Sequence, residues 1–437
     1  MDSCFLANDF VLLFAISSVL KLRFVVVRIN AINATSTRSD SFLSSPADIR
    51  KRLEQNWIRY LKENSSRLTG DHIDGASPPS VFVGRYGYPK VNVGPMIPPL
   101  HGDTAILDTP ELWSGKTFEE IVNYRLALVR GMTSLNVHDT AGRLVENLHE
   151  LAMSHRPVEG EAIFERRPFA SVDLEKEIRL NAETTPFGPA APLKNFKLIS
   201  SSADNRIESA YYDTDLRASE AIVALYKQGI ETSQIHKVLS IGMLGGKKSR
   251  KLVPTRWSIT ATDDIISRDL LSEIEDNPSV DSFEVREYSH LANRYATILI
   301  PDDIWSFEMI EAWFTPDGHL GMGSDHEDAR GLNHYPTIAG AYFAARLAIA
   351  EHLSKRRRKA AALVLREIQS EYVMPLGVWQ IREGVREALK SIPVSFESLN
   401  DSVAFACSHL SLSHNEILKT STICNSLRSQ KRITDFA

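Results

Sequence analysis

Strand signals in this chain come in bunches between helical stretches, and that ordering narrows the possible folds more than any other property of the sequence. Ser77 to Pro99 sets short β-branched and aromatic runs between Gly and Pro, the punctuation of strands joined by tight turns. Strand-like runs recur after the basic loop at Arg256 to Thr260, at Tyr295 to Ile300 and at Phe307 to Phe314. Helical spacing of apolar residues marks Pro46 to Glu63, through Ile49, Leu53, Trp57, Ile58 and Leu61. It returns over Thr117 to Arg130, Arg217 to Lys227, Ser233 to Ile241 and a long tract from Thr337 to Tyr372. Strict alternation of strand and helix would predict a doubly wound sheet. Bunching predicts an α+β fold of mixed helices and clustered strands, in one large or two closely packed domains.

Length divides the chain further. At 437 residues it exceeds what one core comfortably buries. A variable leader is expected over 1–45, the folded body over 46–395, a polar, flexible tether over 396–429 and a short terminal motif over 430–437. The leader holds an apolar run, Phe10 to Leu20, preceded by Asp2 and Asp9 and interrupted by Lys21 and Arg23. That run is too short to span a bilayer and lacks the basic start of a secretion signal, so no membrane role is expected and the chain reads as cytoplasmic. Cys4, Cys407 and Cys424 are too few and too scattered for a disulfide framework or a zinc site, which suits a reducing compartment.

A net charge of -5 excludes a uniformly basic coat, so any contact with nucleic acid must be local. Two loops qualify. Arg85 is hemmed by Gly84 and Gly87, with Tyr86 and Tyr88 beside it and Lys90 just beyond. Glycines admit close approach of a ligand, a guanidinium suits phosphate and tyrosines offer stacking faces. Lys247, Lys248, Arg250 and Lys251 follow Gly245 and Gly246, with Arg256 shortly after, and could neutralise several phosphates. The plainer alternatives are a packed Gly-Tyr turn and a solvated loop. The glycine spacing does not complete a phosphate-binding Walker loop, so no NTPase is inferred. A third basic run, Lys355 to Lys359, lies within the long helical tract and reads as a solvated helix face, with a DNA groove contact as the alternative.

Carboxylates gather at Asp263 and Asp264, at Glu308 and Glu311, and around His326 between Asp325 and Glu327, with Asp328 next. Such groups are what acid-base or divalent-metal chemistry requires. They define the alternative reading, an enzyme acting on nucleic acid or a nucleotide. Trp257, Trp305, Trp313 and Trp379 are assigned to the core.

The last eight residues place Gln430, Ile433 and Phe436 at offsets zero, three and six. In one helical turn Ile433 and Phe436 would project together as a two-pronged apolar plug, with the Gln430 amide one turn earlier. This pattern resembles the motif by which replication and repair proteins dock on the sliding clamp PCNA, except that Ala437 stands at the second aromatic position. A wider resemblance runs through Pro78 to Pro98, Gly245 to Ser267, Trp305 to Trp313 and Arg366 to Arg382, the last containing Met374-Pro375-Leu376-Gly377-Val378-Trp379. These strings resemble the archaeal Nre family of DNA repair proteins. The resemblance implies a cytosolic archaeal protein recruited by PCNA to damaged DNA, with no catalytic residues carried over. Many members have a cysteine-rich, zinc-finger-like N-terminal segment. Cys4 alone does not match it, so no zinc or other cofactor is expected. The combined expectation is a clamp-tethered DNA repair factor whose basic loops touch DNA or a nucleotide.

Overall fold

The computed structural model describes residues 45–63, 70–168, 188–200, 202–314, 320–332 and 334–429. Two six-stranded sheets and the helices around them form the described body, an α+β fold as the bunched strand signals predict. Sheet 1 contains β1 (His72–Ser77), β2 (Val81–Val83), β3 (Lys90–Ile97), β4 (Val129–Asn136), β5 (Val158–Phe164) and β6 (Ala190–Leu198), in the order β1-β5-β6-β4-β3-β2. All its pairs are antiparallel except β4 with β6. The sheet curls: Ala76 N–H donates to Leu100 O at 2.7 Å and Ser77 Oγ to Met96 O at 2.9 Å, which ties β1 to the far end of β3.

Sheet 2 contains β7 (Phe283–His290), β8 (Asn293–Ile300), β9 (Phe307–Phe314), β10 (Leu320–Glu327), β11 (Ala361–Ile368) and β12 (Val394–Phe396), in the order β10-β9-β11-β8-β7-β12. Its central strand β11 runs parallel to β9 and antiparallel to β8. Helices α8 (Gly340–Arg356) and α9 (Trp379–Lys390) cover one face. The other face is covered by α10 (Leu399–Ser408), α11 (His414–Thr420) and α12 (Thr422–Ser429).

The remaining helices precede sheet 2 in the chain. They are α1 (Pro46–Glu63), α2 (Phe118–Ala127), α3 (Arg143–Met153), α4 (Asn205–Tyr212), α5 (Ala218–Lys227), α6 (Thr232–Ser240) and α7 (Thr255–Glu273). One apolar core runs from Leu53 through sheet 1 and α3 to α7, and on to Leu347 of α8 and Trp379 of α9. The two sheets therefore share a helical layer. Thr117 opens α2 with a capping box, its side chain accepting from Glu120 N–H at 3.2 Å while Glu120 Oε2 accepts from Thr117 N–H at 2.8 Å.

Three segments depart from expectation. Arg256 to Thr260, read as a strand, begins α7. Its β-branched residues suggest a strand, but Ser258, Thr262, Ile266 and Leu270 are all buried four residues apart, a helical stripe. The tract from Thr337 to Tyr372 is a helix followed by a strand. Arg357 takes the left-handed conformation at φ 52° and ends α8, after which Ala361 to Leu365 form part of β11, buried on both faces. A central strand loses the period-two signature, and its alanines imitate helix. The Lys355 to Lys359 run thus straddles the end of α8, where Arg356 binds Glu284 at 2.6 and 2.8 Å and Arg358 donates to Ser279 O at 2.9 Å.

The third departure is the segment 396–429, expected as a tether, which instead folds into α10 to α12. Val403, Ala406, Cys407, Ile417, Leu418, Ile423 and Cys424 are buried against sheet 2. Small apolar residues at helical spacing suffice, because the sheet supplies most of the apolar surface. Gln430, Ile433 and Phe436 fall outside the described residues, as do 1–44 of the leader. No described helix is long and apolar enough to cross a membrane.

Candidate nucleic-acid interface

Helix α7 begins at Thr255 with no side-chain cap. Uncapped first-turn N–H groups and the positive end of the helix dipole favour an anionic ligand. The β2–β3 turn packs against this helix start, with Val83 N–H donating to Thr255 Oγ1 at 3.0 Å. Tyr88 lies against Trp257 with ring centroids 5.4 Å apart. Arg85 and Arg256, 171 positions apart in the chain, are thereby brought to one rim.

The turn itself is built for close approach. Gly87 has φ +83°, and a Cβ there would meet Lys90 O at 2.7 Å, so only glycine fits. The Tyr88–Pro89 peptide is cis. Gly84 N–H donates to Asn92 O at 2.7 Å, which fixes the turn on the β2–β3 ladder. At its tip Tyr86 is 80% exposed, and the Arg85 guanidinium sits 5.0 Å from its ring centroid. An aromatic this exposed contributes nothing to the core and presents an open face beside a cation.

The basic loop joins the same rim through its backbone. Leu252 N–H donates to Val137 O at 2.7 Å, while Val137 N–H donates to Pro89 O at 2.8 Å. Ser240 Oγ donates to Val253 O at 2.7 Å. Of the expected contact residues, Arg85, Lys90, Lys247, Lys248 and Arg256 are exposed. Arg250 is used otherwise. It donates to Gly245 O at 2.8 Å and Tyr211 O at 2.5 Å and lies over the Tyr211 ring, so it braces the loop. Lys251 is half-buried, and burial lowers its pKa.

Tyr335, which sequence reasoning did not single out, completes the rim. It is 48% exposed, packs on Phe343 at 6.1 Å, and lies close to the Arg256 charge and within hydrogen-bonding reach of Thr260. Its place beside α7 comes from the β10–α8 connection, a tertiary relation that no local pattern in the sequence signals.

The carboxylates of the alternative reading do not share a cleft. Glu308 and His326 are cross-strand partners on the face of sheet 2 that packs against α10 to α12, whereas Glu311, Asp325 and Glu327 point to the opposite face. Glu308 is buried and accepts from Ser421 Oγ at 2.6 Å and from the N–H groups of Thr422 and Ile423 at 3.0 Å each, capping α12. Glu311 pairs with Arg366. Asp325 accepts from Thr337 Oγ1 and Ile338 N–H at 2.8 Å each, and Glu327 binds Arg346 at 2.7 Å and Trp305 Nε1 at 2.9 Å. Asp264 also binds Arg346, while Asp263 is paired at 2.6 Å with buried Arg382. Burial raises the Asp263 carboxyl despite that pairing, and hydrogen bonds from Arg330 hold half-buried Asp328 down at about 2. Each acid is committed to a structural partner, so the chemistry expected of them has no assembled centre among the described residues.

Together the fold and the rim define an α+β protein with two mixed sheets on a shared helical layer and a cationic, tyrosine-lined surface at one helix start. The family described as Archaeal Nre, N-terminal, matches residues 54–317, and its counterpart, Archaeal Nre, C-terminal, matches residues 327–436. DNA repair protein NreB of Archaeoglobus fulgidus is 38% identical over 371 residues, covering 83% of this chain and 92% of that protein. DNA repair protein NreA of the same organism is 36% identical over 355 residues, covering 80% of this chain and 87% of its own length. DNA repair protein NreA of Haloferax volcanii is 34% identical over 385 residues, 85% of this chain and 90% of that relative. No solved structure matches the chain. The chain belongs to the archaeal Nre family.

Proposed function

We propose that this protein acts in DNA repair, that its rim at the start of α7 holds a nucleic-acid strand, and that its C-terminal motif docks on the sliding clamp PCNA. The observation that carries the strand-binding part is the meeting of Arg85, Tyr86, Tyr88 and Arg256 at one helix start. Exposed cations beside an exposed ring suit a single strand, with phosphates on the guanidinium and ammonium groups and a base stacked on Tyr86. The names carried by the relatives support the biological setting. Gln430, Ile433 and Phe436 supply the docking plug, and a body held on the clamp needs only modest affinity of its own for DNA.

The strand-binding part is tested by fluorescence anisotropy with a labelled single-stranded oligonucleotide. Tyr86→Ala is expected to weaken binding by about tenfold, since stacking one base contributes roughly 1–3 kcal/mol. Binding equal to that of the parent protein would remove the rim from the interface.

A further inference from the structure

We propose that Trp313, near the end of β9, is a second nucleobase-stacking site, reached by a single strand that leaves the rim at the start of α7 and passes Tyr335. The inference rests on the rim as a strand-binding surface and extends its footprint onto sheet 2.

Sequence reading assigns Trp313 to the core, and the structure places it elsewhere. The side chain is half-buried and belongs to none of the buried apolar clusters. By contrast, Trp113, Trp305 and Trp379 each donate Nε1–H to a protein acceptor and pack in a core. Among the described residues the Trp313 ring has no hydrogen-bond, aromatic or cationic partner. Indole N–H groups that serve only structure are normally satisfied within the protein.

The indole lies flat on β10. A Cβ at Gly321, its cross-strand partner, would stand 2.7 Å from Cε2 and Nε1, and one at Gly323 would stand 3.6 Å from Cζ3. Two glycines thus bare a strip of strand backbone on which the whole bicycle rests. Covering that strip uses one face of the ring. The opposite face suits a base of any identity, because every base presents a π surface.

Continuity with the rim selects nucleic acid as the occupant. A Cβ at Gly323 would lie 3.3 Å from Ile338 Cγ2, and one at Gly340 would lie 3.5 Å from Thr260 Oγ1. Thr260 is in turn within hydrogen-bonding reach of Tyr335, beside Arg256. Ile338 is held in this path by its N–H, which donates to Asp325 at 2.8 Å. The acids nearest the ring are answered: Glu311 pairs with Arg366, and Asp325 is buried under Thr337 and Ile338. Phe314 and Val394, the other exposed apolar strand residues of sheet 2, point to its opposite face, so Trp313 stands as an isolated ring rather than part of an apolar patch for a protein.

The full chain can be labelled with fluorotryptophan, its Trp313 resonance assigned through Trp313→Phe, and titrated with oligodeoxythymidylates of about 4 and about 16 nucleotides, the range spanned by single-strand sites. The longer strand is expected to move the Trp313 fluorine resonance, and the shorter one, seated at the cationic rim, to leave it in place. In anisotropy Trp313→Ala should weaken the longer strand about tenfold and the shorter less than about twofold, whereas Tyr86→Ala should weaken both. Trp313→Phe, which keeps a ring, should hold the longer strand within about threefold of the parent. An unmoved resonance with the longer strand bound, or parental affinity of Trp313→Ala, would overturn the second site while a Tyr86→Ala defect left the rim standing. A resonance that moves on raising protein concentration without DNA would assign the ring to a contact between copies and equally overturn it. The fluorine measurement uses the native side chain, so it decides the matter even if Trp313→Ala fails to fold.

Discussion

Salt dependence gives the sharpest test of the rim, because it counts phosphate contacts rather than merely detecting binding. Five exposed cations are available, Arg85, Lys90, Lys247, Lys248 and Arg256. Each phosphate neutralised on a single strand contributes about -0.7 to the slope of log affinity against log salt, so full engagement predicts about -3.5. Raising salt from about 50 to about 200 mM should then weaken binding roughly 100-fold. Replacing both Lys247 and Lys248 by Ala should bring the slope to about -2 and the loss over the same interval to roughly 20-fold. Arg250→Ala provides the contrast. Its guanidinium donates to Gly245 O and Tyr211 O, so its removal should loosen the loop and lower the thermal midpoint without a comparable change of slope. Anisotropy across a salt series, with each variant's fold checked by circular dichroism, measures all three. A parental slope in the double-lysine variant, or an equal fall in slope with Arg250→Ala, would show that the cation assignment is wrong.

Other outcomes follow from particular contacts. A peptide of the last dozen residues should bind the clamp and lose binding with Phe436→Ala, while Ala437→Phe should tighten it by about tenfold or more, since burying a phenyl side chain is worth about 1.5–3 kcal/mol; equal binding by all three peptides would discard the apolar plug. Glu308→Ala removes the acceptor for three donors at the start of α12, and hydrogen exchange should report loss of protection over 421–429 with β9 still protected; unchanged exchange there would refute its role as a cap. His352 is held down at about 4 by burial and by the neighbouring Arg286 and Arg356 charges. Folding therefore favours its neutral form, so its contribution is intact above about pH 6.5, the unfolded value, and is lost as pH falls toward 4. Urea unfolding should show a parental decline with acid that is shallower by up to about 1.4 kcal/mol per pH unit in His352→Leu, and parallel curves would exclude this linkage.

Much of the fold was legible wherever local pattern and tertiary environment agree. The bounds of β9 are those read from the sequence, and α5 and α6 begin and end within a residue of expectation, because each carries a clear stripe. The failures share a cause. In α7, β11 and α10 to α12 the burial comes from neighbouring elements, so composition alone misleads: β-branched residues imitate strand, alanines imitate helix, and Ser and Asn imitate a loose tail. The candidate interface was half legible. Each loop announced its own chemistry, but the Val83–Thr255 hydrogen bond that joins them, and the arrival of Tyr335, belong to the three-dimensional arrangement. The acidic candidates misled for the period-two reason: adjacent strand positions such as Asp325 and His326 cannot face the same way.

Glu308 pins the start of α12 to sheet 2, and this shortens the leash on any partner gripped by the final residues. Phe436 stands seven positions beyond Ser429, a reach of at most roughly 25 Å even when drawn straight. A ring held at Phe436 would therefore lie almost against the body, and a duplex threaded through it would pass within a narrow range of positions and tilts relative to sheet 2. Adding flexible residues after Ser429 would trade that alignment for freedom, with capture by the ring unchanged.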